Sequence, residues 1–511
     1  MKDKICGYYL DEQQQHIVLD ESKYLLVVAG AGSGKTFTIL GKIYYLTKYK
    51  HVLPSEILCI SFTKSSSISL KKKIEKELKI DIPVYTFHKL SLEILKNKFN
   101  DYEITSNDTL NNIIHLFFYE TVLQNEKLMH EILQYFKVKS YKNIIKKYAN
   151  FIRNNTLKIE KLEILLLTFI HLFKCNNYDI SDFSTFLTSI RRWFNFKYKQ
   201  EKIFLLLALN IYLLYQNHLN ENKEIDFDDM IINATKYVKE GANVNKYKYV
   251  IIDEYQDTSF IRFDLIKSIL DVTSANLMVV GDDFQSIYRF TGCDVSLFLN
   301  FQEYFNDAKI LKIENTYRNS QELVDIASRF VLKNKYQIRK KLKSSKHLLK
   351  PVSIVYYKNI KKAFLTLVRK IYSKTKSPIL VIGRNNKDIN LVISSSIEIK
   401  NDELIFLDNS NIKLKYMTAH KSKGLEEENV IIINLIDDML GFPNKIKDDR
   451  VLRFVSKNYD NYLYGEERRL FYVALTRTKN KVYLLTPLKN KSTFVRELIA
   501  DNYRKIEIIK L

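Results

Sequence analysis

The run Leu25-Leu26-Val27-Val28, followed by Ala29-Gly30-Ala31-Gly32-Ser33-Gly34-Lys35-Thr36, constrains this chain more than any other stretch. An apolar segment that runs straight into a glycine-rich turn reads as a buried strand, a phosphate-holding loop and then a helix. Glycines at 30, 32 and 34 let the backbone turn sharply and aim successive N–H groups at phosphate oxygens. The helix N-terminus adds positive dipole. Lys35 has the reach for β- and γ-phosphates, and the Thr36 hydroxyl suits Mg²⁺. Ala29 stands where the general pattern has its first glycine. A ligand-free glycine turn is the alternative, but the Gly-Lys-Thr ending after an apolar strand favours a nucleoside-triphosphate site in an α/β fold.

Further strands are expected at Ile57–Phe62, Tyr249–Ile252 and Leu277–Val280. A second series is expected at Ile310–Ile313, Ile379–Ile382, Leu414–Thr418, Val430–Leu435 and Val482–Leu485. Strands spaced by helical patterns imply parallel sheets covered on both faces. Between about 91 and 220 long amphipathic and apolar helices replace the strands, which reads as a helical insertion.

Lys and Arg number 81 against 58 Asp and Glu, leaving +23 over 511 residues. That surplus suits a polyanionic partner, nucleic acid first, although a low-G+C genome enriches Lys as well. The basic run Arg339-Lys340-Lys341-Leu342-Lys343 reads as a solvated helix face or a phosphate contact. Cys6, Cys59, Cys175 and Cys293 lie far apart, without a Cys-x-x-Cys pair or metal spacing, and read as reduced thiols. No hydrophobic leader follows Met1, and the longest apolar runs, Leu165–Phe173 and Ile203–Leu214, are too short to span a bilayer. These features predict a soluble, cytoplasmic protein with no membrane partner.

A second cluster, Asp253-Glu254-Tyr255-Gln256-Asp257, ends the apolar run Tyr249–Ile252. Carboxylates there sit at the carboxyl edge of a parallel sheet, where such folds bind ligands. Asp253 can hold Mg²⁺, and Glu254 can polarise the water that attacks a γ-phosphate.

Taken in order, the motifs resemble those of the UvrD/Rep/PcrA group of superfamily 1A DNA helicases over nearly the whole chain. They are Gln14, Ala29–Thr36, Ile57–Thr63, Thr86-Phe87-His88, Asp226–Asp229, Asp253–Asp257, Gly281–Tyr288, Asn315–Arg318, Met417–Glu426 and Glu467–Arg477. The resemblance implies two RecA-like P-loop NTPase domains, each a parallel sheet flanked by helices. Residues 1–90 and 220–306 would form domain 1A, 91–219 the helical insertion 1B, and 307–511 domain 2A.

It also implies roles. Gln14 would read adenine, Tyr317 stack on the base, Glu426 contact the ribose, and Gly424 line the ATP site with Ala29–Thr36. Gln285 would sense the γ-phosphate, and Arg318 and Arg477 would reach it from the opposite domain. Phe62, Thr63, His88, Tyr288, Phe290 and His420 would contact single-stranded DNA. The activity implied is that of an ATP- and Mg²⁺-dependent 3′-to-5′ helicase or translocase, an isomerase by class. It would act on single strands and their duplex junctions in repair, recombination or replication, beside a nuclease or repair protein.

Phe290 replaces the usual Trp, Thr291 an Arg, Lys64 an Asn, and Thr316 the usual Asn. Only about thirty residues separate Arg384 from Leu414, where larger members carry a helical subdomain, 2B, that this chain lacks or keeps as a vestige. The compact form also resembles motor subunits of nuclease-containing assemblies such as Gabija-type anti-phage systems.

Overall fold

A computed structural model describes residues 4–511 except 6, 97–100, 107, 140–142, 191–195, 243, 245, 401–402 and 458–461, so Cys6 lies outside the described residues. The first sheet contains β1 (Tyr24–Ala29), β2 (Ile57–Ile60) and β3 (Val84–Tyr85). A separate parallel pair, β4 (Glu103–Ile104) and β5 (Glu224–Ile225), joins the two ends of the insertion. The first sheet then continues with β6 (Tyr249–Ile252), β7 (Asn276–Gly281) and β8 (Lys309–Ile313). Its order is β3-β2-β6-β7-β1-β8, parallel throughout. Leu25–Ala29 are buried without alternation because helices cover both faces.

Ile310–Ile313 departs from the expected division. It lies in β8, which pairs with β1 from Leu25 opposite Lys309 to Ala29 opposite Ile313. The apolar run marks a strand, but its place in the chain does not say which sheet it joins.

Around this sheet lie α1 (Glu12–Leu19), α2 (Lys35–Lys48), α3 (Lys64–Leu78) and α4 (Phe87–Leu95). The insertion is built from α5 (Thr109–Leu116), α6 (Glu126–Tyr135), α7 (Ile144–Asn154), α8 (Thr156–Cys175), α9 (Asp182–Ser189) and α10 (Phe196–Glu221), and the chain returns through α11 (Phe227–Lys239) and α12 (Phe260–Thr273). Thr63, Thr86 and Asp226 start α3, α4 and α11, each accepting the backbone N–H three residues on. The insertion's core includes Val451, Phe454 and Val455 from far down the chain. Arg453 in the same segment makes two 2.8 Å hydrogen bonds to Glu201.

The second sheet comprises β9 (Val352–Tyr357), β10 (Ile379–Gly383), β11 (Ile397–Lys400), β12 (Glu403–Phe406), β13 (Lys413–Thr418), β14 (Glu427–Ile432), β15 (Thr478–Pro487) and β16 (Ile506–Lys510). Its order is β11-β12-β13-β10-β14-β15-β9-β16. All neighbours are parallel except β11–β12 and β12–β13. The hairpin β11–β12 fills the short stretch between β10 and β13 and extends the sheet at its edge.

The run Arg339–Lys343 is neither helical nor solvated as a whole, which corrects the reading given above. Lys340 is fully buried, its Nζ 2.5 Å from Asp282 Oδ1, 2.6 Å from Asp283 Oδ1 and 3.6 Å above the Phe284 ring. Two adjacent buried carboxylates need a counter-ion, and that need outweighs hydration of one lysine. Burial opposes the Lys340 charge, but Asp282 and Asp283 outweigh it and hold the ammonium above its ordinary value. Lys340→Met should therefore cost about 3–5 kcal/mol of stability, read by urea unfolding. A loss below about 1 kcal/mol would mean that the cage relaxes around a proton instead.

Candidate functional site

The loop between β1 and α2 has φ +71° at Gly32 and +80° at Gly34, a conformation that favours glycine. Gly32 has a second reason to lack a side chain, since a Cβ there would come 2.5 Å from Arg318 Cβ. Segment 315–318 lies directly on the loop: Thr316 Oγ1 donates to Ala31 O (2.7 Å) and Tyr317 N to Gly32 O (3.0 Å). Gln14 lies beneath it, its Nε2 donating to Ser33 O and its Oε1 accepting from Asp11 N. Both ends of that amide are thus engaged, and an adenine contact would have to exchange them. Tyr317 is 52% exposed beside α1, its hydroxyl donating to Asp11 Oδ2.

Facing the loop, Lys35 Nζ lies 2.7 Å from Glu254 Oε1. Burial opposes the Lys35 charge, but Glu254, Asp253 and Asp282 outweigh it, so the ammonium is held above its ordinary value. Glu254 adopts φ +54°, a left-handed conformation rare outside glycine and a form of strain found at functional sites. Its second oxygen accepts from Gln256 Nε2 at 2.6 Å. Burial would raise Glu254, yet Lys35 and Lys423 bring it down to about 2. Asp253 is pushed up to about 6 by burial and then by Glu254 beside it.

Arg477 is 1% exposed and crosses to the first half, Nη2 donating to Gln285 Oε1 at 3.2 Å. Burial and then the Arg318 guanidinium destabilise its cation, so this corner favours an anion. Arg318 Nε meets Glu426 Oε2 at 2.6 Å, and Gly424 sits nearby at φ +84°. A cavity of about 730 Å³ is lined by Gly32–Thr36, Asp253, Glu254, Gln285, Arg318, Lys423, Gly424 and Arg477.

These residues fit a triphosphate with Mg²⁺. Five cations, Lys35, Lys73, Arg318, Lys423 and Arg477, line the cavity, the buried Ser33 hydroxyl has no partner among the described residues, and Asp253 is a carboxyl that a divalent cation would hold ionised. Thr36 sits beside Lys35 in the same lining.

A second group lies at the cavity's far side. Phe62 stacks on Tyr288 (5.8 Å, 13°), while Phe290 meets Tyr288 and His420 edge-on at 6.1 and 5.4 Å. Phe290 is 57% exposed, and a second cavity of about 720 Å³ runs past it along Arg384, Lys387, His420 and Lys421. Burial and then Arg384 lower His420 to about 4, which keeps it neutral at pH 7. His88 stands apart, its ring against Phe227 at 4.9 Å, and Thr63 serves as the cap of α3.

Sequence reasoning gave no role to Lys423 or Gln256, and it read Lys340 only as one cation of a basic run. Lys423 Nζ lies 2.5 Å from Asp257 Oδ2, 2.9 Å from Gln285 O and 5.1 Å from the Tyr288 ring centre, so it joins both groups. Its signal was present, within Met417–Glu426. Gln256 Oε1 accepts from Asp282 N and so holds two motifs together.

The model of the UvrD/REP helicase N-terminal domain matches residues 10–306, and that of the UvrD-like helicase C-terminal domain matches 389–488. DNA helicase IV of Escherichia coli (strain K12) is 26% identical over 496 residues, 96% of this chain and 70% of that protein. A probable DNA helicase of Mycoplasma pneumoniae is 27% identical over 500 residues, 94% of this chain and 83% of its own. ATP-dependent DNA helicase Rep of Buchnera aphidicola subsp. Acyrthosiphon pisum is 30% identical over 359 residues, 68% of this chain; the match spans about half (49%) of Rep. With the first model covering more than half of the chain and its motifs lining one cleft, this protein belongs to the UvrD/REP helicase family.

Proposed function

We propose that this protein is an ATP-driven DNA motor that moves 3′-to-5′ on single strands and works at their junctions with duplex. The observation that carries the reading is Arg477, buried across the cleft and bonded to Gln285, with Tyr288 and Phe290 three and five residues further on. The names of the relatives support DNA as substrate and ATP as fuel.

In this reading Lys35 binds the β- and γ-phosphates. Glu254 orients and polarises the attacking water; its oxygen bonds to γ-phosphorus as the bond to ADP breaks. Arg318 and Arg477 stabilise the charge that builds on the transferring phosphoryl group. Thr36 and Asp253 would hold Mg²⁺, which when bound neutralises phosphate charge. Gln14 and Tyr317 flank the base, and Glu426 and Gly424 the sugar side. Loss of the γ-phosphate releases Arg477 from its anion, and Gln285 carries that change to the Phe62, Tyr288, Phe290 and His420 surface, where bases stack. His88 and Thr63 would extend this strand path. Residues 1–90 and 220–306 would act as one motor domain, 91–219 as its insertion, and the rest as the second.

The hairpin between β10 and β13 favours a second reading, a translocating motor within a nuclease-containing assembly that unwinds little by itself. A strand-displacement assay run beside a translocation assay on end-blocked strands separates the two and reads polarity.

Arg477→Ala should lower the ATPase kcat by about 10³-fold or more, as loss of an arginine finger does, with the chain still folded by circular dichroism. A drop of less than tenfold would sink the role. Phe290→Ala should cost about 1–3 kcal/mol of single-strand affinity, measured by fluorescence anisotropy, and spare basal hydrolysis.

Asp253 gives a pH dependence with a definite sign. Its raised value means that protons compete with Mg²⁺ as pH falls through about 6. The Mg²⁺ concentration for half-maximal ATPase should therefore rise below that pH, approaching about tenfold per unit for one competing proton. A flat profile between pH 5 and pH 7, roughly the window that a value near 6 commands, would remove Asp253 from the metal site.

A further inference from the structure

Helix α8 places His171 and Cys175 one turn apart, and α11 presents Asp228 to them. His171 Nδ1 lies 3.1 Å from Asp228 Oδ2. Cys175 Sγ lies 3.6 Å from His171 Nε2, 3.8 Å from Nδ1 and 3.5 Å from Asp228 Oδ1. Donors at about 2.0–2.3 Å from one tetrahedral ion stand roughly 3.3–3.6 Å from each other. The observed separations are close to that, so an ion can enter with small side-chain movements.

The surroundings favour this use. Of the three carboxylates in Asp226–Asp229, Lys174 takes two: it pairs with Asp226 and lies 2.7 Å from Asp229. Asp228 is the one that faces His171 and Cys175. Arg262, the nearby guanidinium, donates to Asp257 O and approaches Cys293 Sγ. Cys175 is buried and free, whereas the His171 side chain is 40% exposed and offers a way in. The group also lies under the turn that ends the aromatic segment. Thr291 O is 3.8 Å from Cys175 Sγ, and a Cβ on Gly292 would collide with Cys175.

We propose that His171, Cys175 and Asp228 bind one divalent transition-metal ion of the zinc type, its fourth position open on the His171 side. The imidazole, thiolate and carboxylate set suits zinc over magnesium or calcium. The ion would staple α8 to α11 beneath the Arg289–Thr291 turn. Binding releases the Cys175 thiol proton, and any proton on His171, to solvent. This site stands apart from the triphosphate cavity, and its test is independent of hydrolysis.

The experiment is titration of the full chain, freed of metal by a chelator, with Co²⁺. One equivalent should give a near-ultraviolet sulfur-to-cobalt charge-transfer band with visible bands of tetrahedral intensity, and Zn²⁺ should displace it. Cys175→Ser should abolish the charge-transfer band. His171→Gln, at a half-exposed position that tolerates change, should weaken Co²⁺ binding by at least the roughly tenfold that loss of even an outer-shell partner costs. Zn²⁺ should raise the Tm of the unaltered chain and not that of His171→Gln. If Cys175→Ser does not fold by circular dichroism, His171→Gln and Asp228→Asn carry the test. Absence of the band at one equivalent in the unaltered chain, its survival in Cys175→Ser, or unchanged affinity in both other variants would overturn the proposal.

Discussion

The loop that follows β7 has polar atoms bonded to both halves of the molecule at once. Asp282 N donates to Gln256 Oε1, and the Asp282 carboxylate has Lys340 as its counter-ion. Gln285 accepts from Arg477 through its side chain and from Lys423 through its carbonyl. Ser286 O accepts from Arg469, Tyr288 OH donates to His420 O, and Arg289 bonds Glu466 and Asp448. A segment held this way has no freedom to adjust one contact alone. In the proposed coupling, a change of charge beside Gln285 would reach Tyr288 one turn away, because Gln285 O and Ser286 O are already committed to Lys423 and Arg469.

The cleft beside this loop is a balance of buried charge, and the balance explains how a triphosphate would enter it. Lys35 and Glu254 satisfy one another, as do Lys423 and Asp257, while Arg318 and Glu426 pair at the open edge. Such buried pairs contribute little net stability, because desolvation nearly cancels attraction. Exchanging Glu254 for a phosphate as the partner of Lys35 is correspondingly cheap. In the proposed mechanism Glu254 would then keep Gln256 and turn from counter-ion to the carboxylate that orients water. Arg477, destabilised by burial beside Arg318, donates to Val473 O, Leu425 O and Gln285 Oε1, all neutral, and would gain most from an incoming anion.

Much of this was legible in the sequence because the motifs are local. Ala29–Thr36 and Asp253–Asp257 each follow a strand, and apolar runs without alternation mark strands covered on both faces. What escaped was long-range pairing. Lys340 looks like one of several cations in a basic run; only the fold brings Asp282 and Asp283 to it. Ile310–Ile313 reads correctly as a strand, yet its sheet depends on β1, far back in the chain. Cysteine spacing suggested no metal site because two of the three donors, His171 and Asp228, are not cysteines and Asp228 lies on another helix. Strands β11 and β16, whose isoleucines are interrupted by Glu and Lys, carry too weak an apolar signal to stand out.

The insertion adds a constraint on any motion between the halves. Val451, Phe454 and Val455 belong to the chain after β14, yet they complete the insertion's core, with Phe454 5.7 Å from Phe186 and Arg453 clamped on Glu201. Toward the first half the insertion is joined by β4 and β5, a separate pair only two residues long, and by Lys174 of α8 on Asp226 and Asp229. Rotation of the second half must therefore shear a buried apolar cluster or carry the insertion with it. Each joint carries its own lock: the apolar cluster toward the second half, and buried Lys174 between Asp226 and Asp229 toward the first. Breaking a packed core contact costs several kcal/mol, and stripping a buried lysine of its carboxylates costs a similar amount. The metal ion proposed at His171, Cys175 and Asp228 would add one more tie between α8 and α11.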